Sequence, residues 1–254
     1  MKLIIPFLAL LIPAAADTLR SANVTVAINE VQVYPGSGAA RSASVGETVT
    51  MPSSVQTGRK SRAELTFNDK TLTRLGQNSV FSFREGGRNV ELKQGSVLLQ
   101  VPKNAGGATI RTATVTAAIT GTTTMFEYSP GGWVKLITLE GVLKLTINGT
   151  KQSMAVPSGK MIIMHPNAKT IPQPVDIDIA KLMATSPLAG NRVFPPLPAE
   201  ALALINQTIA KQRVAKQNGD LIPTTQVVSG PGRRNSGAIT TSALPVRTPG
   251  TNGP

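Results

Sequence analysis

The sequence predicts an all-β fold: a roll or solenoid-like domain of short strand pairs, followed by one or two helices and a disordered tail. Three observations support this prediction. Runs of β-branched residues alternate apolar with polar positions, glycines recur between these runs about every twenty residues, and prolines become dense after residue 165.

The clearest strand signal lies in residues 109–128, a threonine-rich run that Gly121 interrupts. Val115, Ala117 and Ile119 alternate with threonine and alanine, the pattern of a strand with one buried face. A lone glycine in such a run is typical of a bulge, a bend or a close backbone approach. We therefore predict a strand, a corner at Gly121 and a second strand.

Turn signals separate the other predicted strands. Asn148-Gly149 favours a two-residue type I′ hairpin. Further turns are expected at three places: Gly86-Gly87, Gly131-Gly132 and residues 68–70. The glycines that adjoin apolar strands and would permit a corner are Gly58, Gly76, Gly95, Gly121, Gly141 and Gly159. The alternative is an ordinary β-sandwich with glycine-rich turns.

Composition divides the chain into four parts. Lys2, an apolar run and an Ala-x-Ala site are typical of a secretory signal peptide cleaved after Ala16, whereas a membrane anchor needs a longer apolar run. The parts are residues 1–16 (signal peptide), 17–165 (β-domain), 166–219 (proline-rich linker and helical segment) and 220–254 (basic tail, predicted to be disordered). We expect no transmembrane span after signal cleavage, and a periplasmic or secreted protein.

Two helices are predicted in the third part. Asp176 and Asp178 precede a short apolar run, and their carboxylates are suited to cap a helix N-terminus. A clearer helix runs from about residue 199 to residue 217, and Gly219 ends it.

The charge balance predicts an anionic partner. The chain has 26 Lys and Arg against 13 Asp and Glu, a net charge of +13, and such an excess attracts anionic surfaces. Export excludes nucleic acid as the expected partner and leaves an envelope protein or an anionic envelope polymer. The chain has no cysteine, so its stability must come from burial rather than from disulfides.

The candidate binding residues are Arg59, Lys60 and Arg62, which form a basic turn after Gly58. Other cations follow on the next predicted strands: Lys70, Arg74, Arg84, Arg88 and Lys93. If several of these project from one face, they make an anion-binding surface. The alternative is a solvated face that keeps the protein soluble.

Residues for catalysis or metal binding are scarce. His165 is the single histidine, while zinc sites take three or four protein ligands, so we interpret it as a turn residue. No nucleophile with a base, phosphate loop or dinucleotide motif is present in the pattern. We therefore predict no enzyme, no cofactor and no metal site.

The order of several motifs resembles the FecR-type domain. The motifs are Thr57-Gly58-Arg59-Lys60-Ser61-Arg62-Ala63 with the sequence that continues to Ser79, Leu92-Lys93-Gln94-Gly95-Ser96-Val97, Ile110 to Thr112, and Ile119-Thr120-Gly121-Thr122. The resemblance covers about residues 24–165. It implies an extracytoplasmic all-β domain, which in well-known members relays a signal from an outer-membrane receptor to a sigma factor. The motif residues themselves are expected to be structural.

Two functions follow as hypotheses. The first is a non-enzymatic extracytoplasmic interaction module that binds an envelope protein or polymer through a strand edge or the basic face. The resemblance implies a role for this module in signalling. The alternative is a structural envelope protein held on an acidic glycan or lipid surface by its basic face and tail.

Overall fold

The structure is a computed structural model that describes residues 19–83 and 87–223. The predicted signal peptide, the Gly86 half of one predicted turn and all but the first four residues of the predicted tail lie outside these residues. Within them the fold is mostly β-sheet, followed by three α-helices. The predicted fold class is thus confirmed.

Seventeen strands are present in the described residues. They are β1 (Ser21–Ile28), β2 (Val31–Pro35), β3 (Arg41–Ser42), β4 (Thr48–Thr50), β5 (Ser53–Thr57), β6 (Arg62–Phe67), β7 (Leu72–Leu75), β8 (Val80–Phe83), β9 (Asn89–Gln100), β10 (Ala108–Arg111), β11 (Val115–Ile119), β12 (Thr123–Ser129), β13 (Trp133–Glu140), β14 (Val142–Ile147), β15 (Ser153–Pro157), β16 (Lys160–Met164) and β17 (Val175–Asp176). The helices are α1 (Ile179–Thr185), α2 (Ala199–Lys211) and α3 (Arg213–Asn218).

The strands form two layers that share β9. Sheet A has the order β4-β1-β6-β7-β9-β12-β13-β16-β17. Sheet B has the order β3-β2-β5-β8-β9-β10-β11-β14-β15. Neighbouring strands are antiparallel except β9 and β10, which are parallel. The first half of β9 belongs to sheet B and its second half to sheet A.

The main hydrophobic core contains buried side chains from both sheets. Alternate positions supply it, for example Val115, Ala117 and Ile119 on β11, as their spacing predicted. Because the aromatic content is 4%, aliphatic residues supply most of this core. Apolar burial of this kind is worth roughly 25 cal/mol per Å², and it stabilises the two-layer arrangement.

All six predicted corner glycines lie where the chain passes from one sheet to the other. Gly58 joins β5 of sheet B to β6 of sheet A, and Gly121 joins β11 of sheet B to β12 of sheet A. Gly95 lies inside β9, where the pairing changes from β8 to β12, with φ +93°. Such a φ favours glycine, so the glycine spacing marks the alternation between layers.

Residues 109–120 form two strands, whereas one was predicted. The chain turns at Thr112, whose Oγ1 accepts hydrogen bonds from the main-chain N of Thr114 and Val115, at 3.2 and 3.1 Å. β10 and β11 then pair antiparallel. A threonine hydroxyl can close a turn without glycine or proline, and the β-branched pattern therefore concealed this hairpin.

The predicted two-residue turn at Asn148-Gly149 is wrong. The loop spans residues 148–152, Gly149 has φ +71°, and Asn148 is outside the left-handed region that a type I′ turn requires. The Asn148 amide instead accepts from Thr116 Oγ1 at 2.7 Å and donates to the Thr112 carbonyl at 3.1 Å. These tertiary contacts determine the loop conformation.

The helical segment begins as predicted at an aspartate cap. Asp178 Oδ1 accepts from the N of Lys181 at 2.9 Å, while Asp176 lies in β17. The single helix expected for residues 199–217 is divided into α2 and α3 at Gln212, whose side chain donates to the Ile177 carbonyl at 2.7 Å. Beyond Gly219, Ile222 forms a parallel bridge with Ile177.

We call residues 177–222 the helical cap, because they cover the outer face of sheet A. A second apolar cluster joins the two. Its members from the sheet are Leu72, Leu98, Ile137, Leu139 and Met161, and its members from the cap include Ile179, Leu182, Phe194, Leu197 and Ile205. The described part of the chain is therefore layered as sheet B, sheet A and helical cap.

Candidate functional site

The basic turn between β5 and β6 presents two of its three candidate cations to solvent. Arg59 and Lys60 are exposed. Lys60 has φ +56°, and its main chain is held by a bond to Gln77 Oε1 at 3.2 Å and one from Asn29 Nδ2 at 2.8 Å. The turn is thus a defined feature that could bind an anion.

Arg62 is only partly exposed. Its Nη1 donates to the Ser61 carbonyl at 2.7 Å, and its buried Nε has no hydrogen-bond partner within the described residues. Burial lowers the pKa of Arg62 from its ordinary value, although not enough to uncharge a guanidinium near neutral pH. Arg62 therefore adds positive charge beside the turn, while its side chain is partly buried against the β-domain.

The wider basic face expected on the following strands is not assembled as such. Lys70 and Lys93 are exposed. Arg88 instead forms an ion pair with Asp69, and Arg74 is buried; Arg84 lies outside the described residues. The sequence alone does not show which cations on a strand are exposed and which are buried or ion-paired.

Arg74 lies on β7 and is 0% exposed. Its Nε donates to Glu64 Oε2 at 2.8 Å across the β6–β7 pair. Its terminal nitrogens donate to two carbonyl oxygens of the helical cap, those of Leu188 at 2.9 Å and Pro195 at 2.5 Å. The ring of Phe194 lies 4.9 Å from the Arg74 Cζ. Arg74 thus connects sheet A to the cap.

The charges of Arg74 and Glu64 compensate each other, and further hydrogen bonds support both side chains. Glu64 is 3% exposed, and its other oxygen accepts from Thr25 Oγ1 at 2.7 Å. Burial lowers the pKa of Arg74, while the hydrogen bond and charge of Glu64 oppose that shift. A buried charge is tolerated when it is paired and hydrogen-bonded in this way, so the pair can lie between sheet A and the helical cap.

Glu140 is a second buried acid, at the end of β13. It is 3% exposed and accepts a hydrogen bond from Thr123 Oγ1 at 2.8 Å. Burial raises the pKa of Glu140 above its ordinary value, and the Thr123 hydroxyl and the charge of Lys103 oppose part of that rise. Sequence reasoning did not single out Glu140, because the residues adjacent to it in the sequence do not indicate that it is buried.

Replacing Glu140 with glutamine is expected to raise the thermal unfolding midpoint near neutral pH. Because folding raises the pKa of Glu140, its contribution is favourable below the unfolded pKa and is lost as pH rises through the folded pKa. Glutamine can still accept from Thr123 and has no charge to desolvate. The check is the midpoint of both proteins across pH.

The gap between the two midpoints should shrink as the pH falls. A gap that stays constant with pH would contradict this assignment. The exposed Glu30→Gln is the matched control, because it removes one carboxylate charge from the surface.

The described residues hold no group of three or more His, Cys, Asp or Glu side chains suited to a metal. His165 lies in a turn after β16, where its Nδ1 accepts from the N of Asn167 at 3.1 Å. His165 is therefore a turn residue, as its sequence context predicted.

The glycine motif residues connect the sheet crossings to one another. Thr57 Oγ1 donates to the Gly76 carbonyl at 2.5 Å and accepts from the N of Ser79 at 2.9 Å. Ser79 Oγ accepts from the N of Ser96 at 3.0 Å. The Thr-Gly, Gly-x-x-Ser and Gly-Ser pairs of the sequence thus form one hydrogen-bonded stack of corners.

The outer face of sheet B carries no helix in the described part of the chain. Small polar residues and alanine line it, and β15 ends the sheet beside β14. The exposed residues at this end are Ala118, Val142, Lys144, Ser153, Ala155 and Pro157. The sequence pattern of these strands predicted their outward face but not their place at the sheet edge.

Comparison with known proteins gives one family match. Residues 53–144 match the family described as FecR protein. This range lies inside residues 24–165, for which the resemblance was expected. A search of curated proteins gives no match. Among the helices of residues 19–83 and 87–223, none has the length and hydropathy needed to cross a membrane.

Two similar crystal structures are candidate anti-sigma factors from Parabacteroides distasonis. The first has a TM-score of 0.45 and 17% identity, covering 52% of this chain and 63% of that one. The second has a TM-score of 0.43 and 13% identity, covering 54% of this chain and 74% of that one. Residues 53–144 of this chain thus match the FecR protein family, in agreement with the resemblance that the order of the sequence motifs predicted.

Proposed function

We propose that the protein is a non-enzymatic, extracytoplasmic interaction module that binds a protein of the cell envelope as part of signalling. The observation that carries the proposal is the asymmetry of the two layers. Sheet A is covered by the helical cap, whereas sheet B presents an open polar face and an exposed edge strand. An uncovered edge is a template for pairing with another chain.

The FecR-type domain supports this function, because members of that family act in regulation across the envelope. The predicted signal peptide supports the location. The motif threonine, serines and glycines form the hydrogen bonds and turns of the sheet crossings. The open face and edge of sheet B therefore remain as the surface for a partner.

A structural protein held on an acidic glycan or lipid is the second candidate. The exposure of Arg59 and Lys60 on one turn favours it, together with the net charge of +13.

The experiment measures binding of residues 17–254 to isolated cell envelope in a salt series, alongside a version that ends at residue 223. Protein binding predicts saturable association that survives molar salt and is lost after protease treatment of the envelope. Charge-driven adsorption predicts loss near molar salt, where the Debye length is about 3 Å.

Reversing Arg59, Lys60 and Arg62 to glutamate is expected to leave envelope binding within about twofold, since charges outside the contact mainly change the rate at which two proteins meet. The matched control reverses three exposed lysines elsewhere, Lys169, Lys181 and Lys211, and so changes the net charge equally. Loss of binding in the first variant alone would favour the electrostatic candidate. Titration with labelled protein measures both.

A further inference from the structure

The edge strand β15 has main-chain groups that point away from its partner β14. The N of Ile147 donates to the Gln152 carbonyl at 3.1 Å, which sets the phase of the antiparallel ladder. Hydrogen-bonded pairs then recur at every second position, at Leu145 with Met154 and at Leu143 with Val156. The N–H and C=O groups of Ser153 and Ala155 therefore face outward.

The other sheet ends are formed by shorter strands than β15. In sheet A, β17 has two residues, and Ile222 pairs along it through bonds to Asp176 and Asp178. At the opposite end of sheet A, β4 has three residues, and in sheet B, β3 has two. β15 has five residues, of which Ser153, Ala155 and Pro157 are exposed.

The surface beside this edge combines small polar and apolar side chains with isolated positive charge. Thr116, Thr146 and Ser153 form one row across β11, β14 and β15. Ala118, Lys144 and Ala155 are aligned across β11, β14 and β15. Val142, 54% exposed, lies opposite Pro157. Met154 is partly buried against the main core, so a neighbouring strand would find an apolar contact on the inner side as well.

Charge at the edge has one sign. Residues 141–175 contain four lysines and no aspartate or glutamate. Of these, Lys144 and Lys151 are exposed on the β14–β15 hairpin. An acidic segment complements this edge, since opposite charges across an added strand stabilise the pairing and like charges oppose it.

We propose that β15 binds an extended acidic peptide segment of a partner protein as an added strand. Ser153 and Ala155 supply the main-chain hydrogen bonds, and Pro157, which has no N–H, ends the pairing. The period of two places acidic side chains of the segment on the Lys144 side and apolar ones against Met154. This inference rests on the proposed protein-binding function and specifies its site.

The test uses the mature full chain and a synthetic probe, acetyl-Glu-Val-Glu-Val-Glu-Val-amide. Binding is measured by calorimetry and by backbone amide shifts at residues 153–157. Saturable binding is expected, with at least about tenfold weaker binding of the Lys-Val counterpart peptide. Equal binding of both peptides overturns the proposal.

Ala155→Pro is the critical variant, because it removes an outward N–H while the bonds of β15 to β14 involve other residues. Ala155→Thr is the matched control that keeps the N–H. At least about tenfold weaker probe binding is expected for Ala155→Pro alone, with circular dichroism confirming folding. Should Ala155→Pro misfold, the double variant Lys144→Glu with Lys151→Glu tests the charge complementarity instead, and at least about tenfold weaker binding of the acidic probe is expected.

The same variants separate this proposal from the general function. If Ala155→Pro binds envelope protein as the wild type does, the edge proposal is overturned and the interaction module stands. If the wild type binds the probe but no envelope protein, the edge proposal stands and the envelope-binding function is overturned.

Discussion

Replacing Arg74 with methionine is expected to destabilise the protein by about 3–5 kcal/mol, the range measured when one partner of a buried ion pair is removed. Glu64 would remain 3% exposed with its charge uncompensated. The carbonyl groups of Leu188 and Pro195 would lose their donors. Thermal unfolding should show a midpoint lower by about 10 °C, and denaturant unfolding a lower midpoint concentration.

The helical cap should respond more than the sheets. Hydrogen exchange is expected to rise in residues 179–209 at conditions where the sheets stay protected, because Arg74 donates to the cap directly. A double variant, Glu64→Leu with Arg74→Met, should be less destabilised than Arg74→Met alone, since it removes the unpaired charge. An unchanged midpoint for Arg74→Met would show that apolar packing alone holds the cap.

Replacing Gly95 with alanine is expected to destabilise the fold by about 3 kcal/mol or more, through backbone strain and a collision. Gly95 has φ +93°, and a Cβ there would collide with the Cα of Ser79. Displacing Ser79 breaks its hydrogen bonds to Ser96, at 3.0 and 3.1 Å. The measurement is denaturant unfolding, with the slope checked for two-state behaviour.

Gly149→Ala is the matched control for this prediction. Gly149 has φ +71°, and a Cβ there would meet no atom within 4 Å. Its substitution should destabilise by about 1 kcal/mol, the strain of a left-handed alanine. If both variants unfold at the same midpoint, the crossing at Gly95 has no special steric requirement.

Much of the fold could be predicted because the glycines that the sequence places between strands lie where the strands change from one sheet to the other. A strand that changes sheets must bend sharply, and glycine permits the bend where a Cβ would not. Gly58, Gly95 and Gly121 therefore mark the crossings in the sequence itself. The FecR resemblance rests on the same residues, because the corner stack requires Thr57, Ser79 and Ser96 beside the glycines.

The candidate site could be predicted only in part. Arg59 and Lys60 are exposed, as a basic turn suggests, and they remain candidates for an anion. Arg74 was assigned to the same basic set, yet it is buried. Its two carbonyl partners in the helical cap are 114 and 121 residues away along the chain, and no local pattern carries that information.

The sequence by itself determined the all-β class, the six corner glycines, the buried face of strands such as β11 and β14, and the helix caps at Asp178 and Gly219. These follow from period-two alternation, from the freedom of glycine and from side-chain capping, all of which act within a few residues. Tertiary structure alone decided which strands are edges, which charges are buried and where the helical cap lies. Those properties depend on contacts between distant segments, such as β15 beside β14 at the end of sheet B and Arg74 beneath residues 188–195.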